Sequence, residues 1–368
     1  MSTATSAEIR RYLLRKSATM GVPASGIFEL TPRCNLKCKM CYVRLTPEQM
    51  APMGRERTAA EWLWLAREAA DQGMVFLLLT GGEPTLRSDF AEIYEGLAQM
   101  GLSISINTNG TLITDELKAL WHRLPPAQVN VTLYGVCRED YAALCGNPAA
   151  FDAVEDALSW LRSEGILVHL NTTMTPANYD RWLDLEEYAK KLGLGLRMTA
   201  YCFPPARRKG ACDSCADFTR LAPEAAGELL CRDVLYQQGP ESIRLRAKDL
   251  DSPLQQGCEL DIGDPMQCLA GKSQFWVTWN GDTTPCGMLP EPVVKPFELG
   301  FESQWEALKR ACDEIRLCPE CAACAYQKSC MNCAAVTYSE TGRFDGKPEY
   351  MCRLNKAYRE TITRLAEE

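Results

Sequence analysis

A chain of 368 residues, 46% apolar and 24% charged, is long enough to bury one large core and a smaller second one. Its formal charge of −8 offers no basic face for nucleic acid or an anionic membrane. No apolar run reaches the roughly 18 residues of a membrane span.

The first predicted element is one amphipathic helix over Glu8–Met20. From residue 26 to 199 short apolar runs alternate with amphipathic stretches, which predicts repeated βα units and a parallel sheet. The predicted strands are Ile27–Leu30, Val75–Leu79, Ser103–Asn107, Gln128–Leu133, Leu167–Thr172 and Leu196–Thr199. The predicted helices are Ala59–Asp71, Ser88–Met100, Asp115–Trp121, Phe151–Ser163 and Asn178–Lys191. In the first of these Ala59, Trp62, Leu63, Ala66 and Ala70 recur at helical spacing. The rhythm stops after Thr199, and residues 200–257, with a helix expected over Pro223–Gln237, read as a bridge. Further on, Phe275–Asp282 reads as a hairpin turning at Asn280-Gly281, and a last helix follows Cys352. The expected organisation is an N-terminal helix (1–25), an α/β barrel (26–199), the bridge (200–257) and a cysteine-rich domain (258–368).

Nineteen cysteines against two histidines is the unusual ratio. No export signal precedes them and an odd count fits full disulfide pairing poorly, so the sequence predicts a cytoplasmic protein whose clustered thiols hold metal. His122 and His169 are too few for a His-rich zinc site, and proton transfer is expected to fall to a carboxylate, Tyr, Lys or Cys. Cys34, Cys38 and Cys41 supply three soft thiolates after the first strand. A [4Fe–4S] cluster takes four ligands, so three leave one iron open. Thr80-Gly81-Gly82-Glu83-Pro84 follows the second strand. Its glycines admit close backbone approach, and Glu83 offers an acceptor for an ammonium. Zinc remains the bland reading of the thiols, and a plain loop that of the glycines.

The spacing C-x3-C-x2-C and the GGE turn closely resemble those of radical S-adenosylmethionine (SAM) enzymes. The resemblance implies a partial (β/α)6 barrel with its chemistry at the C-terminal strand ends. It also implies SAM chelated at the open iron, reductive cleavage to a 5′-deoxyadenosyl radical, and an external electron donor such as flavodoxin or ferredoxin. Implied SAM contacts are Gly81, Gly82, Glu83, Asn109, Thr132 and Asn171. Relatives often carry an aromatic residue before the third cysteine. Here Met40 stands there with Tyr42 just after it, and both are expected near the adenine. For Asn109 an Asx turn is an equal reading. Cys202, after the sixth strand, is the candidate hydrogen-atom donor to a substrate radical.

In the C-terminal part, Cys268, Gly281 with Cys286, the run Cys321-x2-Cys324-x5-Cys330-x2-Cys333 and Cys352 resemble the SPASM extension of that family. The family has three residues, not two, before the cysteine matching Cys333. The resemblance implies two auxiliary [4Fe–4S] clusters, three in all. One would use Cys268, Cys286, Cys333 and Cys258, the other Cys321, Cys324, Cys330 and Cys352. Eleven of the nineteen cysteines are then used. Cys318 is a further candidate ligand, and the remaining cysteines other than Cys202 are expected to be buried small hydrophobes. Zinc knuckles are the alternative.

Such SPASM enzymes modify ribosomally made peptides, which implies a precursor-peptide substrate. The helix Glu8–Met20 is too short for a leader-binding domain, so a separate leader-binding protein is expected. Sulfatase maturases carry a catalytic Asp after the cysteine matching Cys286, whereas this chain has Gly287, which argues against a sulfatase substrate. The alternatives are a radical SAM enzyme acting on a small molecule or tetrapyrrole, and a non-catalytic iron–sulfur or zinc protein.

Overall fold

The structure, a computed structural model, describes residues 6–204, 220–250, 268–316, 318–326 and 330–368. Six parallel strands follow one another in chain order: β1 (Ser25–Glu29), β2 (Phe76–Thr80), β3 (Ser103–Thr108), β4 (Gln128–Thr132), β5 (Val168–Thr173) and β6 (Gly195–Thr199). Each parallel crossover needs a connecting segment, and helices supply it. Ala59–Asp71 is one of these. Thr58 and Glu61 form a reciprocal capping box at its start, and Trp62, Leu65, Ala66 and Ala69 form its buried face. Thr114 caps Asp115–Arg123 by accepting from the Leu117 amide.

Two predicted helices begin later than expected. The segment after β2 first makes a 3₁₀ turn at Pro84–Leu86, so its helix runs Phe90–Gln99. The last barrel helix is Trp182–Lys191, behind a 3₁₀ turn at Tyr179–Arg181. Helices of two turns or more that the reading above does not include are Arg138–Cys145, Pro240–Lys248, Phe301–Asp313 and Ala334–Thr341.

The hairpin appears as β7 (Gln274–Val277) and β8 (Thr283–Thr284), antiparallel to each other. Its first strand pairs in parallel with β1, Ser25 opposite Gln274 and Phe28 opposite Val277. The sheet is therefore continuous, in the order β6-β5-β4-β3-β2-β1-β7-β8. The cysteine-rich segment extends the barrel sheet. An aromatic chain crosses the same junction: Phe28 lies 4.9 Å from Trp62 and 6.4 Å from Phe275, which lies 4.9 Å from Phe301 (ring centroids). These rings share one buried core. The C-terminal helix Glu349–Glu367 packs on Pro223–Gln238 and Pro240–Lys248 through Cys231, Ile243 and Ile362.

Candidate functional site

On β5 and β6 buried and open residues alternate. The outward set packs against the helices, while the inward set lines a cavity of about 600 Å³ at the C-terminal strand ends. Cys34, Cys38, Met40, Cys41, Tyr42, Gly81, Gly82, Asn109, Thr132, Asn171 and Cys202 all border this cavity. Segments far apart in sequence thus converge where the βα reading places them.

The cysteine loop is held from two sides. The amides of Lys37 and Lys39 donate to the carbonyls of Cys145 and Leu144, at 3.1 Å each. These are the terminal carbonyls of helix Arg138–Cys145, which lack intrahelical partners. Gly146, at φ 74°, ends that helix in the left-handed conformation. On the other side the Gly82 amide donates to Thr31 O at 2.7 Å and the Glu83 amide to Arg33 O at 2.8 Å. A Cβ on Gly81 would strike Thr31 O, and one on Gly82 would strike Arg33 O. The paired glycines are thus needed for the GGE turn to press against the cysteine loop.

N–H donors reach two of the sulfurs. Cys34 Sγ accepts from the Leu36 amide at 3.4 Å and from Asn109 Nδ2 at 3.7 Å, and Cys41 Sγ accepts from the Arg44 amide at 3.2 Å. Burial pushes the Cys34 thiol up to about 11 against the Leu36 amide, and it pushes Cys38 up too, against a hydrogen bond with Tyr134. The three thiols also repel one another as thiolates. A metal that binds here displaces their protons.

Among the described residues no three His, Cys, Asp or Glu side chains converge tightly enough to hold a single metal ion. A cubane cluster makes a looser demand, since each thiolate binds a different iron. Three cysteines around one cavity, with N–H donors aimed at sulfur, fit that donor set.

Glu83 departs from its expected role. Its carboxylate is fully buried and does not border the cavity. It accepts from the Thr85 amide (3.1 Å), Thr85 Oγ1 (2.6 Å), Thr108 Oγ1 (2.8 Å) and the Asn109 amide (2.7 Å). Four donors fill a carboxylate's capacity, so the ammonium acceptor expected at this side chain is already committed to the protein. The carboxylate ties the GGE turn to Thr108 and Asn109 at the end of β3.

Cys202 is buried, and its thiol donates to Met174 O at 3.5 Å. His122 lies at the surface beside Glu164, 2.6 Å away, whereas His169 borders the cavity. Tyr134, Gln128, Asn130, Arg197 and Tyr201 also line it, beyond the residues singled out in the sequence. The period-two alternation of β4 to β6 carries the signal for the strand residues among them. Tyr201 is tied to the cysteine-rich part: its hydroxyl donates to Glu340 Oε1 at 2.6 Å, and Arg220 grips the same carboxylate at 2.5 and 3.0 Å.

The C-terminal cysteines fall into two neighbourhoods. Cys333 and Cys286 both repel a Cys268 thiolate. Cys352 and Cys324 do the same to Cys330, as does Cys333, which places the neighbourhoods side by side. Cys321 is grouped with Cys318, Cys352 and Cys330, and its amide donates to Cys318 Sγ at 3.3 Å. Cys318 is thus a fifth thiol beside the second set. Cys258, Cys212 and Cys215 lie outside the described residues. Cys145, Cys231 and Cys312 are buried and Cys137 is partly exposed.

Residues 28–194 match the sequence profile of the Radical SAM superfamily. Over that stretch, a little under half of its length, the chain is similar to this superfamily. The superfamily's cofactors are SAM and a [4Fe–4S] cluster. The AdoMet-dependent heme synthase of Methanosarcina barkeri (strain Fusaro) is 27% identical over 89% of this chain and 95% of its own length. The PqqA peptide cyclase of Bradyrhizobium diazoefficiens is 25% identical over 62% of each chain. Among solved structures, Streptococcus suis SuiB bound to its precursor peptide SuiA superposes with a TM-score of 0.67 at 16% identity, over 94% of this chain and 80% of that one. Native anSMEcpe with bound AdoMet and the Kp18Cys peptide superposes at 0.66 with 17% identity, over 93% and 98%. At such identities these likenesses speak for the shared fold alone. No described helix is long and apolar enough to cross a membrane.

Proposed function

We propose that this chain is a radical SAM enzyme that modifies a residue of a peptide, taking hydrogen from a carbon of a segment inserted into the barrel mouth. The observation that carries the reading is the convergence of Cys34, Cys38 and Cys41 with Gly81, Gly82, Asn109, Thr132 and Asn171 around one polar cavity. A [4Fe–4S] cluster on the three thiolates supplies, when bound, the electron that splits SAM into methionine and a 5′-deoxyadenosyl radical. The chain's own contribution is placement. The GGE turn and the carbonyls of helix Arg138–Cys145 fix the cysteine loop. Met40 and Tyr42 offer apolar and aromatic surface to the adenine, and Thr132 and Asn171 offer polar groups on adjacent strands. Two auxiliary clusters, on Cys258, Cys268, Cys286 and Cys333 and on Cys321, Cys324, Cys330 and Cys352, complete the reading, with Cys318 in reserve for the second. Eight ligands for two clusters favour electron transfer over ligation of substrate.

A small-molecule or tetrapyrrole substrate is the second reading. It is favoured by the near full-length relationship to a heme synthase. Anaerobic reconstitution with iron and sulfide, reduction and addition of SAM test the shared core, since the account requires 5′-deoxyadenosine. Co-expression with short peptides encoded beside the gene separates the two substrates: a mass change on a peptide supports the first. Turnover of a carboxyalkyl porphyrin alone supports the second.

A further inference from the structure

The inner face of the sheet carries a charge that neither the cysteine loop nor the GGE turn uses. Thr132, Asn171 and Arg197 are neighbours in one row across β4, β5 and β6, and Asn107, Asn130 and His169 form the row below. All six border the cavity. In the lower row the amides satisfy one another: Gln128 Nε2 donates to Asn130 Oδ1 at 2.5 Å, and Asn130 Nδ2 to Asn107 Oδ1 at 2.8 Å. Arg197 has no such partner among the described residues, and none of the described residues that line the cavity is an Asp or Glu. Its guanidinium offers a planar fork of donors to whatever enters.

We propose that Arg197 anchors a carboxylate of the substrate, the side chain of an Asp or Glu near the residue that is modified. The proposal rests on the radical SAM reading above. Charge sets the ligand: Arg197 is the one Lys or Arg among the described residues of the lining, which matches one carboxylate and falls short of a polyphosphate. Topology sets the source. The cysteine loop follows β1, whereas Arg197 stands on β6, the far end of the strand order. The methionyl carboxylate of SAM belongs at the cysteine loop. Tyr201, Cys202 and Phe203 border the cavity just beyond β6, so the anchored carboxylate sits beside the apolar wall available to substrate. Filling the mouth displaces water and strengthens the ion pair.

The test uses the full chain, reconstituted anaerobically and loaded with SAM. Titration calorimetry compares the peptide Gly-Gly-Glu-Gly-Gly with its Gln analogue, both with blocked termini. The expected result is tighter binding of the Glu peptide by roughly thirtyfold or more, the scale of losing one partner of a desolvated ion pair. Arg197→Gln should erase the difference, and Arg197→Lys should retain part of it. Equal affinities in the wild type, or a preference that survives in Arg197→Gln, overturn the proposal. Loss of SAM affinity in Arg197→Gln with the peptide preference intact assigns the residue to the cofactor and also overturns it. A carboxyalkyl porphyrin and its methyl ester form the last arm. An Arg197-dependent preference for the free acid there, with none among the peptides, moves the anchor to a small-molecule substrate and overturns the peptide assignment. Binding needs no turnover, so 5′-deoxyadenosine measured on the wild-type sample reports separately on the radical SAM reading.

Discussion

The Asn109 amide donates to Glu83 Oε2 at 2.7 Å, while its side-chain amide lies 3.7 Å from Cys34 Sγ. One residue at the end of β3 therefore joins the GGE turn to the first cysteine. Burial raises the Glu83 pKa, and the donors from Thr85, Asn109 and Thr108 oppose it. The carboxylate is an internal strut of the site.

Glu83→Gln keeps the shape but turns an NH2 toward groups that donate. A buried donor left unsatisfied costs about 1–3 kcal/mol. Urea denaturation of the apo chain should show that loss, together with weaker SAM binding after reconstitution. An unchanged denaturation midpoint would rule out the strut.

Gly146→Ala tests the other support of the cysteine loop. No atom lies near enough to clash with the added methyl, so the cost is the left-handed backbone alone, roughly 1–2 kcal/mol. We expect slower or less complete iron incorporation, because the carbonyls of Leu144 and Cys145 hold Lys37 and Lys39. Normal iron uptake at lowered stability would detach this cap from the loop.

A Cβ on Gly287 would lie 2.6 Å from Trp276 Cε2, and the indole N–H of Trp276 donates to buried Glu29 at 3.1 Å. The ring occupies the space a side chain at 287 needs, which agrees with the absence of an Asp there. Gly287→Ala should cost about 1–3 kcal/mol through overpacking, read as a lower thermal midpoint. A midpoint equal to wild type would mean that the ring moves freely.

Asp233 and Glu186 face each other between two helices, with Gln237 donating to both at 3.0 and 2.9 Å. Burial and then Glu186 push the Asp233 carboxyl up to about 7. The folded chain therefore keeps a proton that an unfolded Asp releases near pH 4. The resulting stability is full below about pH 4 and is lost as pH rises to about 7. Asp233→Asn should flatten that part of the stability–pH curve. The same slope in both proteins would contradict the shared proton.

Much of the barrel was legible because its helices and strands obey simple periods. Ala59–Asp71 matches its expected bounds, helped by the Thr58–Glu61 box. Arg138–Cys145 was not legible: its eight residues carry a weak apolar face, and its value lies in carbonyls offered to a loop a hundred residues away. The pairing of β7 with β1 was equally hidden, since local pattern shows a hairpin but not which strand it joins. The cysteine spacing singled out three residues that border one cavity. It could not show that Glu83 is spent on Thr85, Thr108 and Asn109, because saturation of a carboxylate is a property of the folded neighbourhood.

The most direct test is the triple variant Cys34→Ala, Cys38→Ala, Cys41→Ala, reconstituted beside wild type and assayed for iron, sulfide and 5′-deoxyadenosine under reduction with SAM. The account predicts that 5′-deoxyadenosine disappears while the iron and sulfide held by the C-terminal cysteines remain. Continued formation of 5′-deoxyadenosine, or loss of all iron from the variant, would contradict it.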